Sequence, residues 1–195
     1  NMFKTIYQYE LKHWLKQPST YIYAAIIFGV AFVTMTGMAS EPPDRFNNRI
    51  VNAPIFLYNL TSRFLLLLLL LIPAVIGVSA NRDFSQKMYT LLFAYPFIKR
   101  DYLLAKYLSA FTIFLGIAMM LGLGFWMGSQ MLWVNAKLIQ PTFFSDYVKL
   151  YGLFVIPNIL LVGTIVFGAV LLTRNVYTGF IISLLMILIP QLTAA

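Results

Sequence analysis

Six carboxylates, one histidine and no cysteine are all that this 195-residue chain offers for acid–base, metal or thiol chemistry. Without cysteine, disulfides and thiol catalysis are excluded. His13 has no second His or Cys beside it to share a metal, and it reads as a solvated residue at an interface. The carboxylates Glu10, Glu41, Asp44, Asp83, Asp101 and Asp146 all fall outside the centres of the long apolar runs, and so does every Lys and Arg. Proton pumps, ion-coupled carriers and voltage sensors place ionisable groups at those centres. Their absence argues against ion-driven transport by this chain. An intramembrane protease is disfavoured too, because it needs a Ser/His, Asp/Asp or HExxH set. The expectation is no catalytic residue, no metal and no cofactor.

Those sparse ionisable groups sit between runs that contain none. Charge-free stretches cover Gln17–Ser40, the interval between Arg63 and Arg82, Tyr107–Ala136, Leu150–Thr173 and Asn175–Ala195. The second includes seven consecutive leucines, Leu65 to Leu71. A bilayer core about 30 Å thick needs about 20 apolar residues of helix. A mean hydropathy of +0.81 and 10% charged residues therefore point to an all-α polytopic membrane protein. Spans are expected at 19–39, 55–80, 103–130, 150–173 and 175–195, within one transmembrane domain over 1–195. The Asn at position 1 and the end at Ala195, inside an apolar run, suggest a trimmed chain with a sixth span beyond it.

The net charge of +8 belongs to the ends of these runs, which suits an anionic membrane and not a nucleic acid. Counting connections alternately puts nine Lys and Arg on the side of the amino terminus, 82–106 and Arg174, against five on the other. The positive-inside rule then places the amino terminus in the cytoplasm, with 41–62 and 137–149 outside.

Residues 2–16 read as an interfacial helix. Phe3, Ile6, Tyr7, Glu10, Leu11 and Trp14 share one face, expected in the acyl boundary, while Lys4, Gln8, Lys12 and Lys16 share another. Pro18 ends it. Glu10 interrupts the apolar face, so it either snorkels to water or pairs with a cation such as Arg82 or Lys106. Pro73 should kink the leucine-rich span. Gly124 and Gly128 form a GxxxG, most simply used for packing within the chain. Trp126 and Trp133 suit the outer interface. Asn59-Leu60-Thr61 fits a sequon of a type common by chance.

One segment on the cytoplasmic side carries information about partners. In Arg82–Lys106, the residues Phe84, Met88, Leu91, Leu92 and Tyr95 form a helical stripe. This predicts a short amphipathic helix over 83–95, with Asp83 at its positive amino-terminal end and Pro96 stopping it. Gln86, Tyr89, Thr90 and Phe93 oppose the stripe.

The order of these parts resembles the membrane subunit of an ABC-2 type transporter, an ATP-driven exporter. The likeness rests on Tyr9-Glu10-Leu11-Lys12 before Gln17-Pro18, then on Asp83, Leu91-Leu92, Pro96, Lys99-Arg100 and Lys106. Ser85-Gln86-Lys87 stands where that family often has a Gly-Thr pair, and Ala105 stands where glycine is frequent before the lysine. The chain is similar also to permease portions that some bacteria fuse to an M1-type aminopeptidase, but without HExxH no peptidase activity carries over. The resemblance implies an elbow helix containing Glu10 and Trp14, and a coupling helix docking on a separate nucleotide-binding ATPase. Arg82, Asp83, Gln86, Lys87, Tyr89, Thr90 and Phe93 would make that coupling. It further implies a second permease half, a bacterial cytoplasmic membrane location and an unknown substrate. An alternative is a membrane anchor that recruits a soluble partner without transport.

Overall fold

A computed structural model describes residues 2–42, 50–85, 99–141 and 144–193. Those residues form helices and connections, with no strand among them. Helix α1 spans Met2–Lys16 and α2 Pro18–Ser40. Helix α3 runs over Pro54–Ser85, α4 over Lys99–Ser129, α5 over Phe144–Thr173 and α6 over Val176–Thr193. Four of them, α2 to α5, are long and apolar enough to cross a membrane. The apolar part of α6 among the described residues, Val176–Ile189, is shorter.

Sequence punctuation sets most boundaries. Gln17 alone separates α1 from α2, whose first residue is Pro18, and Pro54 opens α3. Proline is tolerated at a first helical position because that amide has no intrahelical acceptor. Pro73 does not end α3. Instead Pro73–Gly77 forms a π-helical turn, after which the α-helix resumes. A second π-helical turn, Tyr151–Val155, lies within α5 just before Pro157. That helix begins at Phe144, earlier than the charge-free run suggested, so 144–149 are helical residues and not part of a connection.

The chain divides into two compact units. The first contains residues 1–17, 66–115 and 157–195. Its core includes Trp14, Leu68, Ile72, Ile76, Phe114, Ile159, Val166 and Val170. Tyr107 of α4 meets α5 twice, through an edge-on contact with Phe167 at 5.2 Å between centroids and a 2.9 Å hydrogen bond with Thr164 Oγ1. Small residues let helices close up there, since a Cβ on Gly179 of α6 would come within 3.0 Å of Val166 and Val170.

The second unit contains residues 18–65 and 116–156. Ile27, Ala31, Met35 and Ala39 make the buried stripe of α2. Against them stand the two glycines of the GxxxG. A Cβ at Gly124 would lie 2.7 Å from Ala31 Cβ and 2.8 Å from the Phe28 carbonyl oxygen, and one at Gly128 2.9 Å from Met35 Cβ. The motif is thus occupied by packing inside the chain. Phe64 meets Phe125 edge-on at 5.5 Å. The connecting segments are tied by backbone bonds from Val51 to Leu138 and from Asn135 to Ala39. The buried Asn52 amide donates to the Gln140 carbonyl and accepts from the Gln140 N–H, at 2.6 and 2.9 Å.

Tyr151 adds an unusual contact to this unit. The Gly122 N–H donates to Tyr151 Oη at 2.9 Å, and that hydroxyl donates to the Ala118 carbonyl at 2.8 Å. Residues 118 and 122 are an i, i+4 pair, so the phenol bridges two groups that a regular helix bonds directly. Only glycine admits it, because a Cβ at 122 would lie 2.8 Å from the oxygen.

Candidate functional site: an ion-pair cluster in the first unit

Three helices bring the ionisable residues of the first unit together. Helix α1 contributes Glu10 and His13 on successive turns, the last turns of α3 contribute Arg82 and Asp83, and the first turns of α4 contribute Tyr102 and Lys106. Glu10 Oε1 accepts from Arg82 Nη2, and Asp83 Oδ2 accepts from Lys106 Nζ. Tyr102 Oη also donates to Asp83 Oδ2, at 2.5 Å. The Lys106 ammonium stands 5.6 Å from the Tyr102 ring centroid, within cation–π reach. Two anions face two cations, so the cluster is neutral as a set.

Burial gives these pairs their weight. The side chains of Lys106 and Glu10 are 1% and 4% exposed, and those of Asp83 and Arg82 are 16% and 14%. A lysine in this position keeps its charge only because a carboxylate faces it. Removing one member of such a pair leaves a charge uncompensated and costs about 3–5 kcal/mol. Among the described residues, Glu10 Oε2, Arg82 Nη1, Asn81 Oδ1 and Ser79 Oγ have no hydrogen-bond partner. The cluster is therefore fully charge-paired but not fully hydrogen-bonded, and substitutions in it carry high stakes.

His13 is half-buried, with Nε2 at 2.8 Å from Gln17 Nε2. Since the amide can only donate there, that ring nitrogen accepts. Burial, then the nearby Arg82 guanidinium, hold the imidazole below its usual value. It is not the freely solvated residue expected from its isolation in the sequence.

Several expectations need correction here. The Phe3–Trp14 face of α1 does not lie wholly in an acyl boundary. Glu10 and Trp14 are 3% and 2% exposed, and Tyr7 bonds Thr112 Oγ1 of α4 at 2.9 Å. This face packs on the chain because Glu10 must find its cation. Of the two readings for Glu10, the pair with Arg82 is the one formed. Asp83 does not start a new helix. It lies in the last described turns of α3, and its carboxylate accepts hydrogen bonds from Lys106 and Tyr102. Arg82 and Asp83, which the resemblance would assign to coupling, are largely buried and paired with Glu10 and Lys106. Gln86, Lys87, Tyr89, Thr90 and Phe93, and most of the expected 83–95 helix, lie outside the described residues.

Sequence reasoning missed one further contact. Arg174, in the turn between α5 and α6, adopts a left-handed φ of 53° and places its guanidinium 5.2 Å from the Phe84 ring centroid. Phe84, the first residue of the expected 83–95 stripe, thus meets a turn of its own chain. The signal that could have flagged this turn is the lone charge separating two apolar runs. Among the described residues no group of three metal-ligating side chains occurs. What the arrangement can do is mechanical: it fastens the ends of α1, α3 and α4 to one another, and the α5–α6 turn to α3. No protein-family model, curated protein or solved structure matches the chain.

Proposed function

We propose that this chain is the membrane subunit of an ABC-2 type exporter, moving a substrate across a bacterial cytoplasmic membrane with ATP hydrolysed by a separate subunit. One observation carries the reading. The two helix ends that flank residues 86–98 are tied through Asp83 to Lys106 and Tyr102, and the elbow helix α1 is tied to the same end of α3 through Glu10 and Arg82. A force applied to the 86–98 connection would then reach α1, α3 and α4 together. A transmission element needs such stiffness, whereas a passive loop does not.

In this reading ATP binding draws two permease halves together, and the Gln86, Lys87, Tyr89, Thr90 and Phe93 segment receives the push. Phe93 is the anchor on the sequence pattern alone, which sets this aromatic opposite the Phe84–Tyr95 stripe, and such anchors contribute roughly 2 kcal/mol or more. The chain performs no chemistry itself. The amino terminus and 86–98 face the cytoplasm.

The test is co-purification from native membranes, followed by ATPase assay. The wild-type chain should carry a protein with a GxxxxGK[ST] loop. Phe93→Ala should lose that protein and uncouple its ATPase while still inserting. Loss with Met88→Ala but not with Phe93→Ala would reverse the faces of the helix. If no ATPase accompanies the wild type, the transporter reading falls and the anchor takes its place.

A further inference from the structure

Helix α1 spends much of its apolar face on the chain itself, and what it turns outward is cationic. Glu10 and Trp14 are buried, and Arg82 neutralises Glu10. Lys4, Gln8, Lys12 and Lys16 are exposed at four-residue intervals, with Tyr9 and Leu15 exposed beside them. From Lys4 to Lys16 this row extends about 18 Å at 1.5 Å per residue. Both ion pairs among the described residues leave these lysines out, and α1 has no second carboxylate. The outward face therefore carries three positive charges and no negative one.

An acidic soluble protein and an anionic bilayer would both match three lysines. Two observations favour the bilayer. Gln17 alone separates Lys16 from Pro18, the first residue of a helix long and apolar enough to cross a membrane. Two residues reach about 7 Å at most, so Lys16 stays at the level where that crossing begins. At the other end of the row, Tyr7 bonds Thr112 Oγ1 at 2.9 Å. Thr112 lies six residues beyond Lys106, about 9 Å into the charge-free run of α4. This part of α1 thus lies against the flank of a span, where the surroundings are lipid. The exposed Tyr9 and Leu15 suit that level too, since ring and apolar chain can enter the acyl boundary while lysine stems reach up to phosphates.

We infer that the outward face of α1 binds anionic phospholipid headgroups of the leaflet it adjoins, with Lys4, Lys12 and Lys16 meeting their phosphates. The helix is fastened to the protein by its apolar side and to the membrane by charge, the reverse of an amphipathic helix sunk in the acyl boundary. The inference needs only the membrane-crossing character of α2 and α4, and it stands whether or not the exporter reading holds.

The experiment uses the whole chain reconstituted in phosphatidylcholine vesicles with a minor share of phosphatidylglycerol. Gln8→Cys, in the middle of the row of this cysteine-free chain, carries a fluorophore. Either lipid is supplied with a nitroxide quencher at the top of its acyl chain. At equal nitroxide content, phosphatidylglycerol should quench more than phosphatidylcholine. That preference should fade as salt rises from about 0.01 M to 1 M and the Debye length shrinks from about 30 Å to 3 Å. Lys12→Gln should lower the preference about fivefold, as one charge near the surface is worth about a factor of five. Glutamine at all three lysines should remove it, and arginine at all three should keep it, which separates lost charge from damaged folding. Equal quenching by the two lipids, or a preference that survives the triple glutamine variant, overturns the inference. So does stronger quenching by a nitroxide at the end of the acyl chain, which would mean apolar insertion. Quenching by aqueous iodide that phosphatidylglycerol leaves unchanged also overturns it, because the face would then look to water, as an acidic soluble partner requires.

Discussion

Lys106 holds an ammonium where almost no water reaches it, and its neighbours show how. Asp83 supplies the countercharge and Tyr102 the ring face. Lys106→Met should leave the Asp83 carboxylate with Tyr102 alone and lower stability by about 3–5 kcal/mol. Adding Asp83→Leu to that variant should recover much of the loss, because the pair is removed together. Thermal unfolding in detergent across the four-member cycle measures this. Glu10→Ala should destabilise more than Glu10→Gln, which can still accept from Arg82. His13 adds a pH dependence. Its folded value lies below 6.5, so the unfolded chain binds more protons in the interval between the two values. The stability that His13 contributes is present above about pH 6.5 and is lost as the pH falls through that interval. His13→Gln should flatten the decline of Tm on the acid side of neutrality, and an unchanged slope would assign the decline to the carboxylates.

At the scale of elements, glycines separate contacts that can yield from contacts that cannot. Gly124→Ala sets a methyl 2.8 Å from a backbone oxygen of α2, and neither helix can retreat without losing its partner. A loss of about 1–3 kcal/mol is expected. Gly163→Ala meets the Cδ1 of Ile76 at 2.9 Å, the free end of a side chain that can rotate, so its loss should be clearly smaller. Comparing the two melting temperatures checks the distinction. Helix identity was legible in the sequence because Pro18, Pro54 and the Thr173–Asn175 break sit at real boundaries. The start of α5 was not, because Asp146 and Lys149 interrupt its charge-free run although they lie within the helix. Asp83 was misplaced for a related reason. A carboxylate after an apolar run looks like a new amino terminus, and only the fold shows a lysine 23 residues on waiting for it. The Tyr151 bridge had no sequence signal, since a tyrosine near a membrane end is ordinarily an interface residue.

For the molecule as a whole, the basic residues predict a single orientation. Cysteines placed at Ser85 and Ala136, both exposed, should react with an impermeant maleimide from opposite sides of the membrane. Ser85 should react only from the side of the amino terminus, following the nine-to-five distribution of Lys and Arg. Same-side labelling of the two would overturn the topology. The ion-pair cluster was only half legible at this scale. Charge balance and the odd position of Glu10 indicated that a partner existed, but choosing Arg82 over Lys106 required knowing that Asp83 claims the lysine.

The tie between Glu10 and Arg82 also sets a schedule for biogenesis. Its partners are 72 residues apart. At about 5–20 residues per second of synthesis, the carboxylate waits roughly 4–14 s for its cation. Until α3 is complete, Glu10 of α1 has no cation to pair with. Asp83 waits for a chain only 23 residues longer, so both pairs close in one late event. Nascent chains arrested before Arg82 should lose residues 2–16 to protease, and chains arrested well beyond Lys106 should keep them.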